Sequence, residues 1–149
     1  MQPRRRALIA AFAASPMALL GGCSLFGDDE EEVAEAQAVL ERRREPVENV
    51  GRVEVGRTRN GFAVSAYGVA PTTGFSQPIL SLRRDGSLAL DGFLEFDFLA
   101  LAPDPGLAMP RGQIAARRIR ADRVLKPDEL QGARGLRIFA LRNASSFEF

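Results

Sequence analysis

The sequence predicts an all-β fold, a small antiparallel sandwich of about seven strands, for roughly the last hundred of its 149 residues. From Asn49 onward, apolar and polar residues alternate with a period of two, as in strands that bury one face. Turn signals separate the alternating runs at Asn60-Gly61, Asp85-Gly86 and Asp91-Gly92. The runs recur about every ten residues, the spacing that is typical of β-sandwiches and small barrels.

The strongest strand patterns lie in the first half of this region. Val53 and Val55 alternate with polar residues, as do the apolar residues of 62–66 and 94–100. Further strands are predicted over 114–121 and 136–141 and at the chain end, with a single helical turn at 126–131 between two of them. The pattern favours an immunoglobulin-like sandwich. Its usual cysteine pair and tryptophan are absent from the sequence, so a barrel remains an alternative.

The N-terminus has the organisation of an export signal. Arg4, Arg5 and Arg6 form a basic segment, and an apolar run follows over residues 7–20. A helix of this length is about 21 Å long, shorter than the roughly 30 Å hydrocarbon core of a bilayer, so it does not predict a permanent membrane span. Residues 5–9 also resemble a loose twin-arginine signal, an alternative export route.

The end of the apolar run is more specific. Leu20-Gly21-Gly22-Cys23 resembles the lipobox of bacterial lipoproteins, and the resemblance covers residues 1–24. It implies that the Cys23 sulfur carries a diacylglycerol, that the chain is cut before Cys23, and that the new amino group is acylated. Two or three acyl chains suffice for stable anchoring in a membrane. Ser24 in place of Asp implies the periplasmic face of the outer membrane.

A charged spacer follows the predicted anchor. Residues 28–48 hold nine acidic residues and three arginines, with the acids crowded at the start and the arginines at the end. This order suits the dipole of a helix, and Pro46 ends the pattern. The interpretation that we favour is a solvated helical tether. The alternative is a helix that docks on its own domain, or pairs with a partner, through Val33, Ala36 and Leu40. The predicted segments are 1–22 (cleaved signal), 23–48 (lipidated tether) and 49–149 (β-domain).

The side-chain inventory offers little for catalysis. The chain has no histidine and one cysteine, which excludes a His-containing triad, a His-ligated metal and a cysteine-cluster metal site. No nucleophile-elbow or glycine-rich phosphate loop is present, so we predict no catalytic residue, metal or cofactor. Glu95 and Asp97 lie two apart, a spacing that a carboxylate-dependent glycan hydrolase could use. They alternate with Phe96 and Phe98, which predicts that their face is solvent-exposed.

Two regions are candidates for binding. The irregular segment 67–75 contains aromatic and hydroxyl side chains and is a predicted binding loop. The side chains expected to bind are those of Tyr67, Thr72, Thr73 and Phe75. Residues 111–142 hold nine basic and three acidic residues, and a patch for an anionic ligand is predicted there. The patch consists of Arg117, Arg118, Arg120 and Arg123. Because Arg117 and Arg118 are adjacent, one of them points inward unless their strand is bulged or lies at a sheet edge.

These observations predict a lipid-anchored envelope protein. Its small β-domain would bind or support another envelope component, either a protein or an anionic polymer, and catalyse nothing; nucleic acid is not expected as a partner of an exported chain. A carboxylate-dependent hydrolase of a wall glycan is one alternative. A carrier of a small molecule or lipid inside a barrel is the other.

Overall fold

The structure, a computed structural model, describes residues 28–149, with side-chain surroundings from residue 33 onward. The predicted signal and lipobox therefore lie outside the described residues. No helix within the described part is long and apolar enough to cross a membrane. The elements are α1 (Asp28–Arg42), β1 (Arg44–Pro46), β2 (Asn49–Thr58), β3 (Gly61–Val69), β4 (Ser76–Leu82), β5 (Phe93–Leu101), β6 (Arg118–Leu125), β7 (Gly135–Phe139) and β8 (Ala144–Glu148), with 3-10 turns at Arg84–Gly86 and Ile114–Arg117.

The strands form two sheets. In the larger sheet, β5 lies between β4 on one side and both β1 and β7 on the other, and β8 pairs with β7. The smaller sheet has the order β2-β3-β6 and is antiparallel throughout. The predicted all-β sandwich is confirmed. The immunoglobulin-like arrangement is not confirmed, because β5 and β7 are parallel neighbours in this strand order.

The core lies between the sheets and is built around β5. Leu94, Phe96 and Phe98 on the inner face of this strand are at most 1% exposed. They pack with inward residues of both sheets because alternate side chains of a strand point to the same face. The other large, fully buried side chains are those of Val47, Val64, Leu125, Leu136 and Ile138.

Side chains connect the two sheets along their edges, where β4 lies beside β6 and β2 lies beside β8. Just before β8, the Asn143 amide binds both backbone groups of Val50: Oδ1 accepts from the Val50 N–H at 2.9 Å, and Nδ2 donates to the Val50 carbonyl at 2.7 Å. At the opposite edge, Arg123 donates to the Leu80 carbonyl at 3.0 Å. No strand of one sheet pairs with a strand of the other at these edges, so these side-chain bonds connect the two sheets there.

Two strands were not predicted from the sequence. Strand β4 contains Pro78 and a left-handed Gln77, and the register with β5 shifts between Ser76 and Ile79, which interrupts the alternation. Strand β1 is only three residues long and ends at Pro46. The folded domain therefore begins at Arg44, earlier than the predicted boundary at Asn49. Residues 114–117 form a 3-10 turn, so β6 begins four residues later than the strand predicted there.

The helix α1 agrees with the predicted position of the helical spacer. Its side chains from Val33 to Val39 are exposed, and the side chains of those two valines are 53% and 48% accessible. Residues 126–131 form the predicted turn, with the Glu129 N–H donating to the Lys126 carbonyl at 3.1 Å. The exposed valines favour the solvated tether over a helix that docks on the domain.

We expect Asn143→Ala to lower the free energy of unfolding by about 2 kcal/mol, because it leaves the backbone N–H and carbonyl of buried Val50 without partners. Urea unfolding measures the change. Asn60→Ala, in the exposed β2–β3 turn, is the control and should change stability by no more than about 0.5 kcal/mol. Equal effects of the two substitutions would contradict the role given to Asn143.

Candidate binding site at the loop end

One end of the domain, which we call the loop end, collects the irregular segments 70–75, 102–113 and 140–143. Strand β3 ends there with Val69 opposite Arg118, and β5 ends there with Leu101 opposite Arg44. Since β1 follows α1 directly, the chain that comes from the predicted anchor enters the domain at this end.

A buried carboxylate organises the loop end. The side chain of Glu48 is 4% exposed and pairs with three arginines. It accepts hydrogen bonds from Arg117 Nη1 and Arg111 Nη2, both at 2.7 Å, and Arg142 Nη1 forms an ion pair with it at 3.4 Å. Arg117 is as deeply buried as the carboxylate, whereas the side chains of Arg111 and Arg142 are 63% and 61% exposed. Burying a charge is unfavourable unless it is paired and hydrogen-bonded, and each of the two buried groups supplies the partner of the other.

The same cluster holds the loops in place. Arg117 Nη1 also donates to the carbonyls of Ala70 at 2.7 Å and Pro71 at 3.2 Å. The backbone N–H of Arg142 donates to the Glu48 carbonyl at 3.1 Å. Arg111 belongs to the segment 102–113, so all three irregular segments are bonded directly to Glu48 or to its partner Arg117.

The hydrogen bond from Arg117 lowers the pKa of Glu48 below its ordinary value of 4.5; burial raises it, and the charges of Arg111, Arg142 and Arg117 lower it further. The folded protein therefore binds a proton at this site less readily than the unfolded chain does. It follows that the stabilisation by Glu48 is complete above pH 4.5 and is lost as the pH falls through the lower, folded-state pKa.

An open cleft of about 520 Å³ lies at the loop end. Its wall combines apolar side chains, such as Phe75 and Met109, with charged side chains of both signs. This mixture is typical of sites that bind an apolar group beside a charged one. The lining residues are Arg42, Arg43, Glu45, Pro71, Thr72, Phe75, Ala102, Pro103, Asp104, Pro105, Leu107 and Met109.

The structure separates the residues of the predicted binding loop. Thr72 and Phe75 line the cleft. Thr73 joins two loops instead, because its hydroxyl and its backbone N–H both donate to the Pro110 carbonyl, at 2.9 and 3.2 Å. Tyr67 belongs to β3 and lies on the outer face of the smaller sheet, where its hydroxyl donates to Glu54 at 2.9 Å.

Tyr67 is instead grouped with part of the predicted arginine patch. The guanidinium carbons of Arg52 and Arg120 lie 4.9 and 5.3 Å from its ring centroid, and Tyr67 and Arg118 line a second cleft of about 270 Å³. Cation–π contacts of this kind are worth about 0.5–1 kcal/mol at exposed sites. The pairing of β3 with β6 produces this grouping, because Tyr67 lies opposite Arg120 and Val69 lies opposite Arg118.

The four predicted patch arginines do not form one free surface. Arg117 is buried against Glu48, as described above. Arg120 pairs with Asp122 at 2.7 Å, and Arg123 pairs with Glu129 at 3.2 Å. Arg118 is exposed and has no ion pair among the described residues. Strand β6 is at the edge of the smaller sheet, yet Arg117, just before it, points inward.

Sequence reasoning missed Glu48, Arg111 and Arg142. Glu48 was assigned to the charged tether, and its bonds to Arg111 and Arg117 span 63 and 69 residues of chain. No local pattern signals a contact over such a separation. The one available signal was the position of Glu48 between Val47 and Asn49, at the start of the alternating region.

The predicted solvent exposure of Glu95 is wrong. Its side chain is 6% exposed because Arg84 and Arg137 cover this face of β5, at 3.2 and 3.3 Å from the carboxylate oxygens. Asp97 pairs with Arg83 at 2.7 Å. The side chains of these arginines therefore cover the face of the larger sheet that points away from the smaller sheet. Neither Glu95 nor Asp97 lines the cleft.

Within residues 28–149 no group of three or more acidic or cysteine side chains could hold a metal ion. No protein-family model, curated protein or solved structure matches the chain. The loop end is the candidate site because it combines the largest of the clefts described above with a rigid support.

We expect Glu48→Gln to lower the melting temperature by about 10 °C or more, because it leaves the buried Arg117 guanidinium without a counter-charge. Differential scanning calorimetry measures the change. Glu45→Gln, an exposed acid three residues earlier, is the matched control and should shift the melting temperature by less than about 3 °C.

The pH dependence of unfolding provides a separate measurement. The difference in unfolding free energy between the parent and Glu48→Gln should be constant above pH 4.5 and should shrink as the pH falls below it, since the folded-state pKa of Glu48 is lowered. Taking the difference removes the contributions of Asp91 and Asp122, whose pKa values are also lowered by their hydrogen-bond partners. A difference that grows on acidification would contradict the assignment.

Proposed function

We propose that this chain is a lipid-anchored protein of the bacterial cell envelope, and that its β-domain is a non-catalytic binding module that uses the loop end. The resemblance of residues 20–23 to a lipobox supports the anchor. The cleft of about 520 Å³, lined by Thr72 and Phe75 and located where the tether enters, is the observation that carries the binding function. Ser24 supports the periplasmic face of the outer membrane.

The geometry suits a binding module. The cleft is lined by segments that Glu48 and Arg117 fix in place, so little conformational entropy is lost when a ligand orders the site. The helix α1 has 15 residues and so a length of about 22 Å. It joins the domain at the same end, so the cleft lies at the end of the domain to which the proposed anchor is connected.

The alternative functions have less support. A hydrolase would use Glu95 and Asp97, but both carboxylates form ion pairs with arginines and neither lines the cleft. A barrel carrier would need an internal cavity, whereas Phe96 and Phe98 pack fully buried between the sheets. No observation favours either alternative over a binding module.

Cys23→Ala should abolish membrane anchoring, because the variant lacks the only thiol that can be acylated. In cells, the parent chain should partition into the detergent phase and the variant should not. Mass spectrometry of the N-terminal peptide should show a diacylglyceryl Cys23 in the parent. Ser24→Asp is the matched control: it should stay lipidated but move to the inner-membrane fraction. Unchanged partitioning of Cys23→Ala would refute the anchor.

A photoreactive amino acid in place of Thr72, on the cleft wall, should give crosslinked adducts in intact cells. The same group in place of Leu90, which is fully exposed at the opposite end of β5, should not give them. The comparison distinguishes binding at the cleft from collision with neighbours. Identical adducts at both positions would contradict a binding role for the loop end.

A further inference from the structure

Three aliphatic side chains project into solvent at the loop end. Leu107, Ile114 and Leu141 are 62%, 58% and 64% exposed. Leu107 lines the cleft, Ile114 begins the 3-10 turn that ends at Arg117, and the Leu141 N–H donates to the Val47 carbonyl at 2.8 Å. Ile114 and Leu141 therefore lie close in the chain to arginines of the Glu48 cluster, and Leu107 lies on the cleft wall. Exposed aliphatic side chains on the loops at one end of a domain can contribute to a contact surface.

Exposed arginines lie at the same end of the domain. Arg111 and Arg142 are both ion-paired with the same oxygen, Oε1 of Glu48, so their guanidinium groups lie close together. Glu48 with its three arginines has a net charge of +2, and most of the surface of Arg111 and Arg142 remains accessible. The exposed Arg118 lies at the same end of the smaller sheet. Paired guanidinium groups suit phosphate oxygens, to which they donate two hydrogen bonds each.

We propose that the loop end binds an anionic phospholipid surface. In this arrangement Arg111, Arg142 and Arg118 contact lipid phosphates, while Leu107, Ile114 and Leu141 enter the headgroup region. The inference rests on the proposed function, since it names the envelope component that the loop end binds. Anionic membranes attract nearby basic residues, and aliphatic side chains at the interface add favourable burial.

A bilayer fits these observations better than a soluble phosphate does. A soluble phosphate would use the arginines but would leave three neighbouring aliphatic side chains in water. The tether also enters at this end, so the anchoring membrane is the anionic surface closest to it. Contact requires α1 to lie along the bilayer, because an upright α1 would hold the loop end about 22 Å away.

The test uses the chain from residue 23 to 149 with Cys23→Ser, which carries no acyl group. The core residues lie between Val47 and Ile138, so this chain keeps the whole core. Flotation with phosphatidylcholine vesicles, with and without phosphatidylglycerol, measures binding. We expect binding only with phosphatidylglycerol, and we expect it to weaken as salt screens the charges.

Matched variants locate the surface. Arg111→Gln with Arg142→Gln should weaken binding about 25-fold, about fivefold for each arginine removed near an anionic surface. The control, Arg57→Gln with Arg59→Gln, removes the same charge from the β2–β3 hairpin at the opposite end and should change binding less than about twofold. Leu107→Ser with Leu141→Ser should weaken binding, and Leu90→Ser should not. Arg118→Gln should weaken binding about fivefold; it removes a side chain without a described ion pair, so it does not threaten the fold.

Three results would overturn the proposal. Equal binding to vesicles with and without phosphatidylglycerol would show that the arginines are not the basis of vesicle binding. Equal losses in the loop-end and hairpin variants would indicate attraction by net charge alone. Full displacement by soluble glycerol phosphate would indicate a phosphate site rather than a lipid surface. Because this chain lacks acyl groups, its failure to bind would leave the Cys23 anchor standing, and failure of the anchor would leave this assay unaffected.

Discussion

The loop end of this domain depends on one buried ion pair, between Glu48 and Arg117. Each group lies where water cannot solvate its charge, so each is tolerated only because the other is present. Arg117 also donates hydrogen bonds to two carbonyls of the segment 70–75. Glu48 also pairs with Arg111 and Arg142, which belong to the other two segments of the loop end. The candidate site is therefore not a set of independent loops. Its walls are fixed by a charge pair whose members lie in different parts of the chain.

The two faces of β5 in the larger sheet are covered in different ways. One face is covered by the smaller sheet through Leu94, Phe96 and Phe98. No second sheet or α-helix of residues 28–149 packs on the other face, and Arg83, Arg84 and Arg137 cover its carboxylates instead. Arg83 and Arg137 also lie over the rings of Phe139 and Phe93, at 4.1 and 4.5 Å. Arginine thus contributes apolar cover, hydrogen bonds and cation–π contacts at the same positions.

The order of segments along the chain determines which end of the domain is connected to the proposed anchor. A predicted anchor at Cys23 is followed by a mostly solvated helix, and the domain begins directly after that helix at Arg44. The cleft, the exposed Arg111 and Arg142 and the exposed Leu107, Ile114 and Leu141 lie at the end where the chain enters. On the proposed function, the surface best equipped to bind is also the one nearest the membrane.

The sequence by itself determined the all-β class, the helical spacer and the predicted anchor, because these depend on local periodicity, turn residues and a contiguous motif. Strands such as Gly61–Val69 and Phe93–Leu101 were predictable since their alternation is regular, whereas Ser76–Leu82 was not, because a bulge at Gln77 interrupts it. Only the tertiary structure decided the site. It buried Glu48 and Glu95, separated Tyr67 from Thr72, and brought Arg111 and Arg142 to one carboxylate oxygen. These outcomes depend on contacts between residues far apart in the chain, and the pattern of neighbouring residues contains no information about them.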